Sequence, residues 1–400
     1  MVQGGSYDPL KQVPNPQERP IIVVGGGFAG LSTLLAFSRV HPRPPLVLIE
    51  PRPQFVFVPL LYELLSGELQ AWEVAPNYSQ LLQGRGISHL RDTVSAINLD
   101  DHFVTTAKGD RLNYSQLVLA TGAAPDDFGI PGVRDHALGF HSLSDLPPLQ
   151  DRLRQLRLRP TGTSTIVIVG AGATGVELAC KLVDLLEGAA QVHLVEQGDQ
   201  ILSRSRAFNR EQAEQALKRR DITVHLKTRV LSVTADAVRW NGVDGDVEQS
   251  HDGLIWTAGS KPNLPDLLPS AELHQKRLPV DQTLRLKGHP DVLALGDIAT
   301  QSPTDESQTP WPLSAQAAMQ QGQAAASTLE AQLRNRAASP FVFQDLGEML
   351  SLGIGDATLT GMGMTLAGPL AYKLRRLAYL TRLPGLTLGL RSAGAWLLGS

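Results

Sequence analysis

Two glycine-rich segments have the residue types and spacing that bind a dinucleotide. In the first, Gly25, Gly27 and Gly30 follow the apolar run 21–24, and Glu50 ends the next apolar run. The first glycine makes a tight turn, the second lets the backbone approach a pyrophosphate, and the third lets helix and strand pack closely. The free N–H groups at the helix N-terminus bind the phosphates, and the acidic residue accepts hydrogen bonds from the ribose hydroxyls.

The second segment repeats the pattern about 145 residues later. Gly170, Gly172 and Gly175 follow the apolar run 166–169, and Glu196 ends the next one. A single fingerprint is a weak signal, because a plain strand-to-helix turn can show it. Two copies, each with a strand, a helix and a downstream acid, predict two bound dinucleotides. FAD and NAD(P)H are the usual pair.

Three later strand ends indicate which site takes which cofactor. LVLATGAAP supplies Thr121 and Gly122 to the first unit, and LIWTAGSKPN supplies Gly259 to the second. DVLALGDIA comes after both and supplies Gly296 and Asp297, whose carboxylate can reach a ribityl hydroxyl. The first unit is therefore predicted to be completed by a segment that returns after the second. This nested order predicts FAD in the first unit and NAD(P)H in the second.

The predicted contacts include residues between the glycines. The predicted FAD contacts are Gly25, Gly27, Phe28, Ala29, Gly30, Glu50, Thr121, Gly122, Gly296 and Asp297. The predicted NAD(P)H contacts are Gly170, Gly172, Thr174, Gly175, Glu196 and Gly259. Glu196 favours NADH, since a carboxylate bonds the 2′-hydroxyl and repels a 2′-phosphate, although Arg204 and Arg206 follow closely.

These elements predict an α/β fold of two Rossmann-like dinucleotide-binding domains with a small C-terminal membrane-binding part. The predicted ranges are a lead-in at 1–19, an FAD domain at 20–144 and 265–334, an NAD(P)H domain at 145–264, and a C-terminal part at 335–400. The lead-in has no apolar core of a signal peptide. No run of 18 apolar residues predicts a membrane-spanning helix. The net charge of −3 gives no reason to expect nucleic-acid binding.

The cysteine content limits the electron acceptor. Cys180 is the single cysteine of the sequence, so thiol–disulfide chemistry within the chain is excluded. We interpret Cys180 as a small buried hydrophobe. No metal site is predicted. The acceptor is then a protein, oxygen or a small oxidant such as a quinone.

The stretch WPLSAQAAMQQGQAAA is a candidate wall for a quinone. Ser314 is a suitable N-cap, and Gln316, Gln320 and Gln323 then share one helical face. A glutamine amide donates to a quinone carbonyl without adding charge. An ordinary Ala/Gln surface helix is the alternative. Gln321 points off this face and is expected to be dispensable.

Residues 367–400 predict a membrane-surface segment. They contain five basic residues and no acid, namely Lys373, Arg375, Arg376, Arg382 and Arg391. Leucines recur at helical steps at Leu370, Leu374, Leu377, Leu380 and Leu383, and Tyr372, Tyr379 and Trp396 are aromatics suited to an interface. Such a helix can lie in the headgroup region. The alternative is a solvated face on a helix packed against the protein body.

These motifs together resemble the type II NADH dehydrogenases, single-subunit NAD(P)H:quinone oxidoreductases. The similarity includes VVGGGFAG, PLLYELLSGEL, LATG, VGAGATGVELA, LGD, the AQAAMQQG run, LGEMLSLGIGDATL and the basic tail. The resemblance implies that Gln316 and Gln320 line the quinone site. It also implies that Glu177 takes part in hydride or proton handling.

Several stretches are similar to one subgroup, the demethylphylloquinone reductases of oxygenic phototrophs. These are FVFVPLLYELLSGELQAWEVAP, LGEMLSLG and GMGMTLAGP. The resemblance implies a prenylated naphthoquinone substrate and NADPH use in some members, so the donor is written NAD(P)H.

The resulting prediction is an FAD-dependent NAD(P)H:quinone oxidoreductase, cytoplasmic and peripherally attached to a thylakoid or plasma membrane. The alternatives are a respiratory-type enzyme acting on plastoquinone or menaquinone, a soluble ferredoxin-reductase-like flavoprotein, and a flavin-bearing redox sensor. The sequence leaves the oligomeric state open, with a homodimer among the options.

Overall fold

The computed structural model describes residues 19–243, 245–302 and 310–384. The described residues form two compact units. The first comprises 19–55, 76–124 and 261–344, and the second comprises 56–75, 125–260 and 345–384. The first unit contains the Gly25 fingerprint, and the second contains the Gly170 fingerprint together with the C-terminal elements.

Strands and helices alternate around each glycine fingerprint, and long runs of consecutive strands occupy 87–125 and 223–294. The helices are α1 (Phe28–Phe37), α2 (Leu61–Leu65), α3 (Ala71–Val74), α4 (Tyr78–Leu81), α5 (Val133–His136), α6 (Leu146–Arg157), α7 (Ala173–Leu186), α8 (Ala207–Arg219), α9 (Ala315–Leu333) and α10 (Pro369–Leu380). The strands are β1 (Ile21–Val24), β2 (Leu46–Ile49), β3 (Ile87–Leu90), β4 (Val94–Asn98), β5 (Phe103–Thr106), β6 (Arg111–Asn113), β7 (Gln116–Leu119), β8 (Ala123–Pro125), β9 (Ser164–Val169), β10 (Ala190–Val195), β11 (Thr223–His225), β12 (Arg229–Val233), β13 (Ala237–Gly242), β14 (Gly245–Ser250), β15 (Gly253–Trp256), β16 (Ser260–Pro262), β17 (Asp266–Leu268), β18 (Leu278–Val280), β19 (Arg285–Leu286), β20 (His289–Ala294), β21 (Ala299–Gln301), β22 (Glu348–Ser351), β23 (Ala357–Gly361) and β24 (Met364–Ala367).

The first unit is built on an eight-stranded sheet in the order β21-β18-β19-β20-β7-β1-β2-β3. Its centre is parallel, with β1 paired between β2 and β7 and with β20 paired to β7. All four residues of β1 are buried, as a strand covered on both faces requires. A second sheet has the order β17-β4-β5-β6. The pairing of β20 to β7 confirms that DVLALGDIA returns to the first sheet.

Helix α9 packs directly on α1 because Gly322 removes a side chain from their contact. A Cβ at Gly322 would overlap the carbonyl oxygen of Ala29 and would lie 2.7 Å from Cβ of Ser32. Ser314 caps α9 by accepting the amide of Ala317 at 3.2 Å, which confirms the predicted N-cap. The close approach fixes α9 beside the helix that follows the first fingerprint.

The second unit contains a parallel sheet in the order β11-β10-β9-β15, with α7 following β9. Two antiparallel sheets, β12-β13-β14 and β22-β23-β24, complete it. Helix α10 packs its Ala371 and Tyr372 against Ala357 of β23. Cys180 on α7 is fully buried, which confirms its interpretation as a core residue.

The compact units divide the chain differently from the predicted ranges. Residues 56–75 and 125–144 lie in the second unit, whereas 261–264 and 335–344 lie in the first. In the predicted C-terminal part, β22 and β23 lie in EMLSLGI and ATLTGMG, whereas 341–346 form no strand. The lead-in up to residue 18 and the end of the tail, 385–400, lie outside the described residues.

Replacing Gly322 with valine should destabilise the first unit. The added atoms must push α9 away from Ala29 and Ser32, and overpacking of this kind costs about 1–3 kcal/mol. The matched control is Gln323→Val, which places the same β-branched residue at an exposed neighbouring position of α9. Thermal unfolding should show a lower midpoint for Gly322→Val than for Gln323→Val. Equal midpoints would contradict the close helix contact.

Candidate functional site

The first glycine loop connects β1 to α1 with the geometry that the fingerprint predicts. Gly25 has a φ of +95°, which an L side chain rarely adopts. A Cβ at Gly30 would overlap the carbonyl oxygen of Gly25, so the third glycine lets the helix close on the turn. Ala29 is buried at this contact, and Phe28 packs edge-on against Phe55 at a centroid distance of 5.3 Å.

Glu50 closes the same loop from the end of β2. Its carboxylate accepts the amide of Gly26 at 2.8 Å, and it accepts the amide and guanidinium of Arg52 at 2.7–3.1 Å. Burial by itself raises the pKa of Glu50, but the bonds from Arg52 and Gly26 outweigh it and hold that pKa below its usual range. Glu50 is thus an ionised carboxylate beside the loop. Two donors already occupy each of its oxygens, so a ribose hydroxyl would have to replace one of the Arg52 donors.

The later strand ends also meet in the first unit. Gly122 has a φ of +69°, and its carbonyl accepts the amide of Asn263 at 2.9 Å. The Thr121 hydroxyl donates to the Asn263 carbonyl. Gly296, with a φ of +68°, begins the turn that carries Asp297. The amide of Gly296 donates a hydrogen bond to Oε1 of Gln321 at 2.6 Å.

Gln321 therefore has a different position from the one expected. It was expected to be dispensable because it points off the Gln316 face. It is instead 3% exposed, and its side chain holds the turn before Asp297. Gln321 does point away from the Gln316 face, as predicted. That direction leads into the interior of the first unit, where a buried amide needs a hydrogen-bond partner.

The second glycine loop repeats these contacts in the second unit. Gly170 has a φ of +103°, and a Cβ at Gly175 would overlap the Gly170 carbonyl oxygen and lie 2.9 Å from the Thr257 hydroxyl. Glu196 accepts the amide of Ala171 at 2.8 Å and the amide of Gly198 at 2.7 Å. Each carboxylate oxygen keeps a lone pair for a ribose hydroxyl.

Both loops have room for a pyrophosphate. A Cβ at Gly27 or at Gly172 would meet no atom within 4 Å, so the space in front of each helix N-terminus is open. Both glycines cap their helices in an extended conformation. Close approach at the second glycine is what a dinucleotide requires, so the residues present fit one dinucleotide in each unit. In the described part of the chain, no three His, Cys, Asp or Glu side chains form a metal-binding group.

Other predicted NAD(P)H contacts also lie in the second unit. Gly259 has a φ of +72°, and the ring of Phe128 occupies the space where its side chain would be. Thr174 is in hydrogen-bond contact with Tyr62 at the start of α7. Arg206 is held by Asp345, with Nη2 to Oδ2 at 2.7 Å. This ion pair partly neutralises Arg206, one of the two arginines that follow Glu196 closely in the sequence.

Glu177 belongs to a buried charged cluster in the second unit. It is 7% exposed, it accepts the amide of Ser351 at 2.6 Å, and Nη2 of Arg375 lies 3.8 Å from its Oε1. Arg375 is fully buried, donates to Glu63, and also donates to the Pro59 carbonyl at 2.8 Å. Burial raises the pKa of Glu177 to about 7, against the opposing effects of Arg375 and Ser351. A carboxyl of this kind can take up or release a proton near neutral pH.

Arg375 was predicted to lie on a surface, and this prediction was wrong. Arg375 lies on α10 but faces the cluster with Glu63 and Glu177 rather than solvent. Tyr379 is also buried, and the Arg375 guanidinium lies 4.8 Å from its ring centroid. The helical period of the leucines predicted α10, but it could not predict which basic residue of the helix pairs with a buried carboxylate.

A second buried contact ties α10 to α7. Lys181 is fully buried, and its Nζ lies 2.5 Å from Oε2 of Glu68. The hydroxyl of Tyr372 donates to the other oxygen of Glu68. Tyr372 was predicted as an interfacial aromatic, but it is 8% exposed because this bond draws it inwards.

The glutamine face of α9 is partly engaged in the first unit. Gln320 donates to the Gln344 carbonyl at 2.8 Å and accepts the Gln344 amide at 2.9 Å. Gln316 is half-buried, and Gln323 is exposed. The two bonds of Gln320 fix the main chain at Gln344. Helical periodicity could not predict them.

The remaining apolar surface of α10 is exposed. Leu370, Leu374 and Leu377 are 58%, 38% and 57% exposed, whereas Leu380 is half-buried and Leu383 is buried. Lys373 is exposed beside them. Arg391 and Trp396 lie outside the described residues. None of the helices described in the structure is long and apolar enough to cross a membrane.

Replacing Glu177 with glutamine should reduce the loss of stability with rising pH. Folding raises the pKa of Glu177 from 4.5 to about 7. The stability linked to this group is therefore fully present below about pH 4.5 and is lost as the pH rises through 7. The slope is at most about 1.4 kcal/mol per pH unit. The fall in thermal midpoint between pH 5 and pH 8 should be smaller in Glu177→Gln than in the parent.

Glu214→Gln is the matched control, because Glu214 is an exposed carboxylate of the same unit. Its pH dependence should follow that of the parent. If Glu177→Gln also follows the parent, Glu177 does not bind a proton on folding.

Comparison with known proteins places these features in a family. Residues 19–322 match the sequence profile of the pyridine nucleotide-disulphide oxidoreductases. The fold is shared with the solved structure of NDH2 from Plasmodium falciparum in complex with NADH. The TM-score is 0.83 at 17% identity, covering 94% of this chain and 96% of that one.

Two curated relatives are similar over nearly the whole chain. Demethylphylloquinone reductase NdbB of Synechocystis sp. is 37% identical, over 94% of this chain and 97% of the relative. Alternative NAD(P)H-ubiquinone oxidoreductase C1 of Arabidopsis thaliana is 34% identical, over 93% of this chain and 79% of the relative. The chain therefore belongs to the pyridine nucleotide-disulphide oxidoreductase family and, within it, to the type II NAD(P)H:quinone oxidoreductases.

Proposed function

We propose that this FAD-dependent NAD(P)H:quinone oxidoreductase reduces a prenylated naphthoquinone, as the demethylphylloquinone reductases do in phylloquinone synthesis. The observation that carries the proposal is the 37% identity to a demethylphylloquinone reductase over 94% of the chain. The benzoquinone alternative is favoured by the 34% identity to a relative named for ubiquinone. The proposal therefore concerns the ring of the acceptor, and the donor is NADH or NADPH.

We assign FAD to the first unit and NAD(P)H to the second. Gly27 and the N-terminus of α1 would hold the FAD pyrophosphate, Glu50 its ribose, and Asp297 its ribityl chain. Gly172 and Glu196 would do the same for NAD(P)H. When bound, the flavin supplies the capacity to accept a hydride and to pass on two electrons. The residues of the chain bind and orient the two cofactors and the quinone.

Glu177 and the glutamines supply the remaining functions. Glu177 has a pKa of about 7, so it can exchange a proton at the pH of the reaction. Arg375 and Ser351 fix its carboxylate. Gln316 would donate to a quinone carbonyl from α9, while Gln320 would complete the wall and hold Gln344. Neutral amides suit this task, because they bind a carbonyl without placing a charge in an apolar pocket.

Steady-state assays with matched quinones test the proposed substrate. We expect kcat/KM to be higher for a demethylated, prenylated naphthoquinone than for a benzoquinone with the same prenyl chain, with either NADH or NADPH as donor. A preference for the benzoquinone, or for the ring-methylated naphthoquinone that menaquinone carries, would support the respiratory-type alternative. Reduction of a ferredoxin-type protein without reduction of either quinone would support the soluble reductase.

The same assay tests the quinone wall. Gln316→Ala removes one hydrogen bond, so the KM for quinone should rise roughly 2- to 10-fold while the KM for NAD(P)H stays unchanged. Ser327→Ala, exposed on the same helix about three turns from Gln316, is the matched control. Equal effects on both KM values would argue against Gln316 as a contact to the acceptor.

We also propose that α10 attaches the protein to a membrane surface, at the cytoplasmic side of a thylakoid or plasma membrane. Leu370, Leu374 and Leu377 form one exposed apolar stripe with Lys373 beside it. Met362 and Met364, 81% and 58% exposed on the β23–β24 hairpin, add apolar surface. An amphipathic helix of this kind lies in the headgroup region.

Replacing Leu370, Leu374 and Leu377 together with glutamate should release the protein from anionic phospholipid vesicles. Each leucine placed in acyl chains contributes about 1.5–3 kcal/mol, and the added carboxylates repel the surface. Leu158→Glu is the control, because Leu158 is 88% exposed at the end of a different helix, α6. The measurement is co-sedimentation with vesicles. Unchanged sedimentation of the triple variant would remove α10 as the anchor.

A further inference from the structure

The carbonyl of Gly26 has an unusual partner. The hydroxyl of Tyr78 donates to it at 2.6 Å, and Tyr78 is fully buried. The amide of Gly26 donates in turn to Glu50 at 2.8 Å. Both polar groups of the residue between the first two glycines of the fingerprint are therefore held by side chains. No part of the glycine motif predicts a tyrosine 52 residues downstream.

Tyr78 is itself fixed on several sides. Its amide donates to the Pro53 carbonyl at 3.0 Å, in the segment that follows Glu50. Its ring lies edge-on to His89 at a centroid distance of 5.0 Å, and Nε2 of His89 donates to the Glu50 carbonyl at 2.9 Å. The hydroxyl cannot move away from Gly26 without disturbing these contacts. Burial also raises the pKa of Tyr78, so the hydroxyl stays protonated and remains a donor.

The second glycine loop gives an internal comparison. Gly170 and Gly25 both donate to the last residue of the neighbouring strand, at 2.8 and 2.9 Å. Ala171 corresponds to Gly26, and its amide donates to Glu196. The Ala171 carbonyl, however, accepts the backbone amide of Leu202 at 2.8 Å. The same carbonyl is held in both loops, by the main chain in one and by Tyr78 in the other.

The comparison also explains why residue 26 is glycine. A Cβ at Gly26 would overlap the Tyr78 hydroxyl and lie 3.0 Å from its Cε1. Ala171 carries a Cβ at the corresponding position, and its carbonyl is bonded by the amide of Leu202 rather than by a tyrosine hydroxyl. Gly26 and Tyr78 are thus a complementary pair, in which the ring occupies the volume of the missing side chain.

We propose that Tyr78 is a positioning residue for FAD, acting through the peptide bond between Gly26 and Gly27. In a trans peptide the carbonyl and the following amide point in opposite directions. A carbonyl held by Tyr78 therefore turns the Gly27 amide towards the open side of the loop, where a pyrophosphate can accept it. Without the hydroxyl, the carbonyl would be buried without a donor, and the peptide would be free to rotate. The inference rests on the proposed assignment of FAD to this loop.

Titration of the flavin-free protein with FAD tests the proposal. Tyr78→Phe should weaken FAD binding roughly 10-fold, because it removes the donor and keeps the ring. The KM for NAD(P)H of the FAD-saturated enzyme should not change, since Leu202 holds the equivalent carbonyl in the second loop. Tyr114→Phe is the matched control, as Tyr114 is 1% exposed in the same unit and its hydroxyl lies 3.5 Å from its nearest acceptor, the Asn98 carbonyl.

A second variant keeps the test independent of folding defects in Tyr78→Phe. Gly26→Ala must displace the tyrosine and should weaken FAD binding by a similar factor. In the double variant the two losses should not add, because both break the same hydrogen bond. Additive losses would overturn the proposal. Circular dichroism on each flavin-free variant separates a change in affinity from unfolding.

Gly27→Val separates this proposal from the assignment of the site. Valine would fill the open space before α1 and should abolish FAD binding if FAD lies there. If Gly27→Val abolishes binding while Tyr78→Phe binds FAD as tightly as the parent, the role of Tyr78 is overturned and the site stands. If Gly27→Val binds FAD normally, both the site and the role of Tyr78 are overturned.

Discussion

Each nucleotide loop depends on a carboxylate at the end of the neighbouring strand. Glu50 and Glu196 accept the amide of the residue after the first glycine, at 2.8 Å in both units. This bond ties the strand-to-helix turn to the next strand of a parallel sheet, so the helix N-terminus has a defined direction. A glycine with positive φ makes the turn possible, and the carboxylate fixes it. The proposed anion site and the proposed ribose acceptor are therefore joined by one hydrogen bond in each unit.

The packing around the first loop follows from this constraint. Gly322 lets α9 lie directly on α1, and Gln321 on the same turn reaches the amide of Gly296. The long helix after LGD thus sets the position of Asp297 as well as presenting Gln316. The helix has a buried face specific to its neighbours and a second face on which Gln320 bonds the main chain of Gln344.

In the second unit, the buried guanidinium of Arg375 determines which face of α10 is turned inwards. Arg375 pairs with Glu63 and lies 3.8 Å from Glu177, so one face of α10 is fixed by charge inside the unit. An unpaired charge at this depth would be strongly destabilising, which is why the arginine and both carboxylates occur together. The leucine stripe, with Lys373 beside it, remains exposed. The same cluster contains Glu177, whose pKa is raised to about 7 by burial.

The sequence by itself determined the two fingerprints, their acids, the return of DVLALGDIA and the helical period of α9 and α10, because glycine spacing and periodicity are local properties. Only the tertiary structure decided that Tyr78 holds Gly26, that Gln321 is buried, and that Arg375 and Tyr372 face inwards. Those contacts join residues 25 to 312 positions apart. Whether a polar side chain meets water or a partner depends on what folds against it, and no local pattern records that.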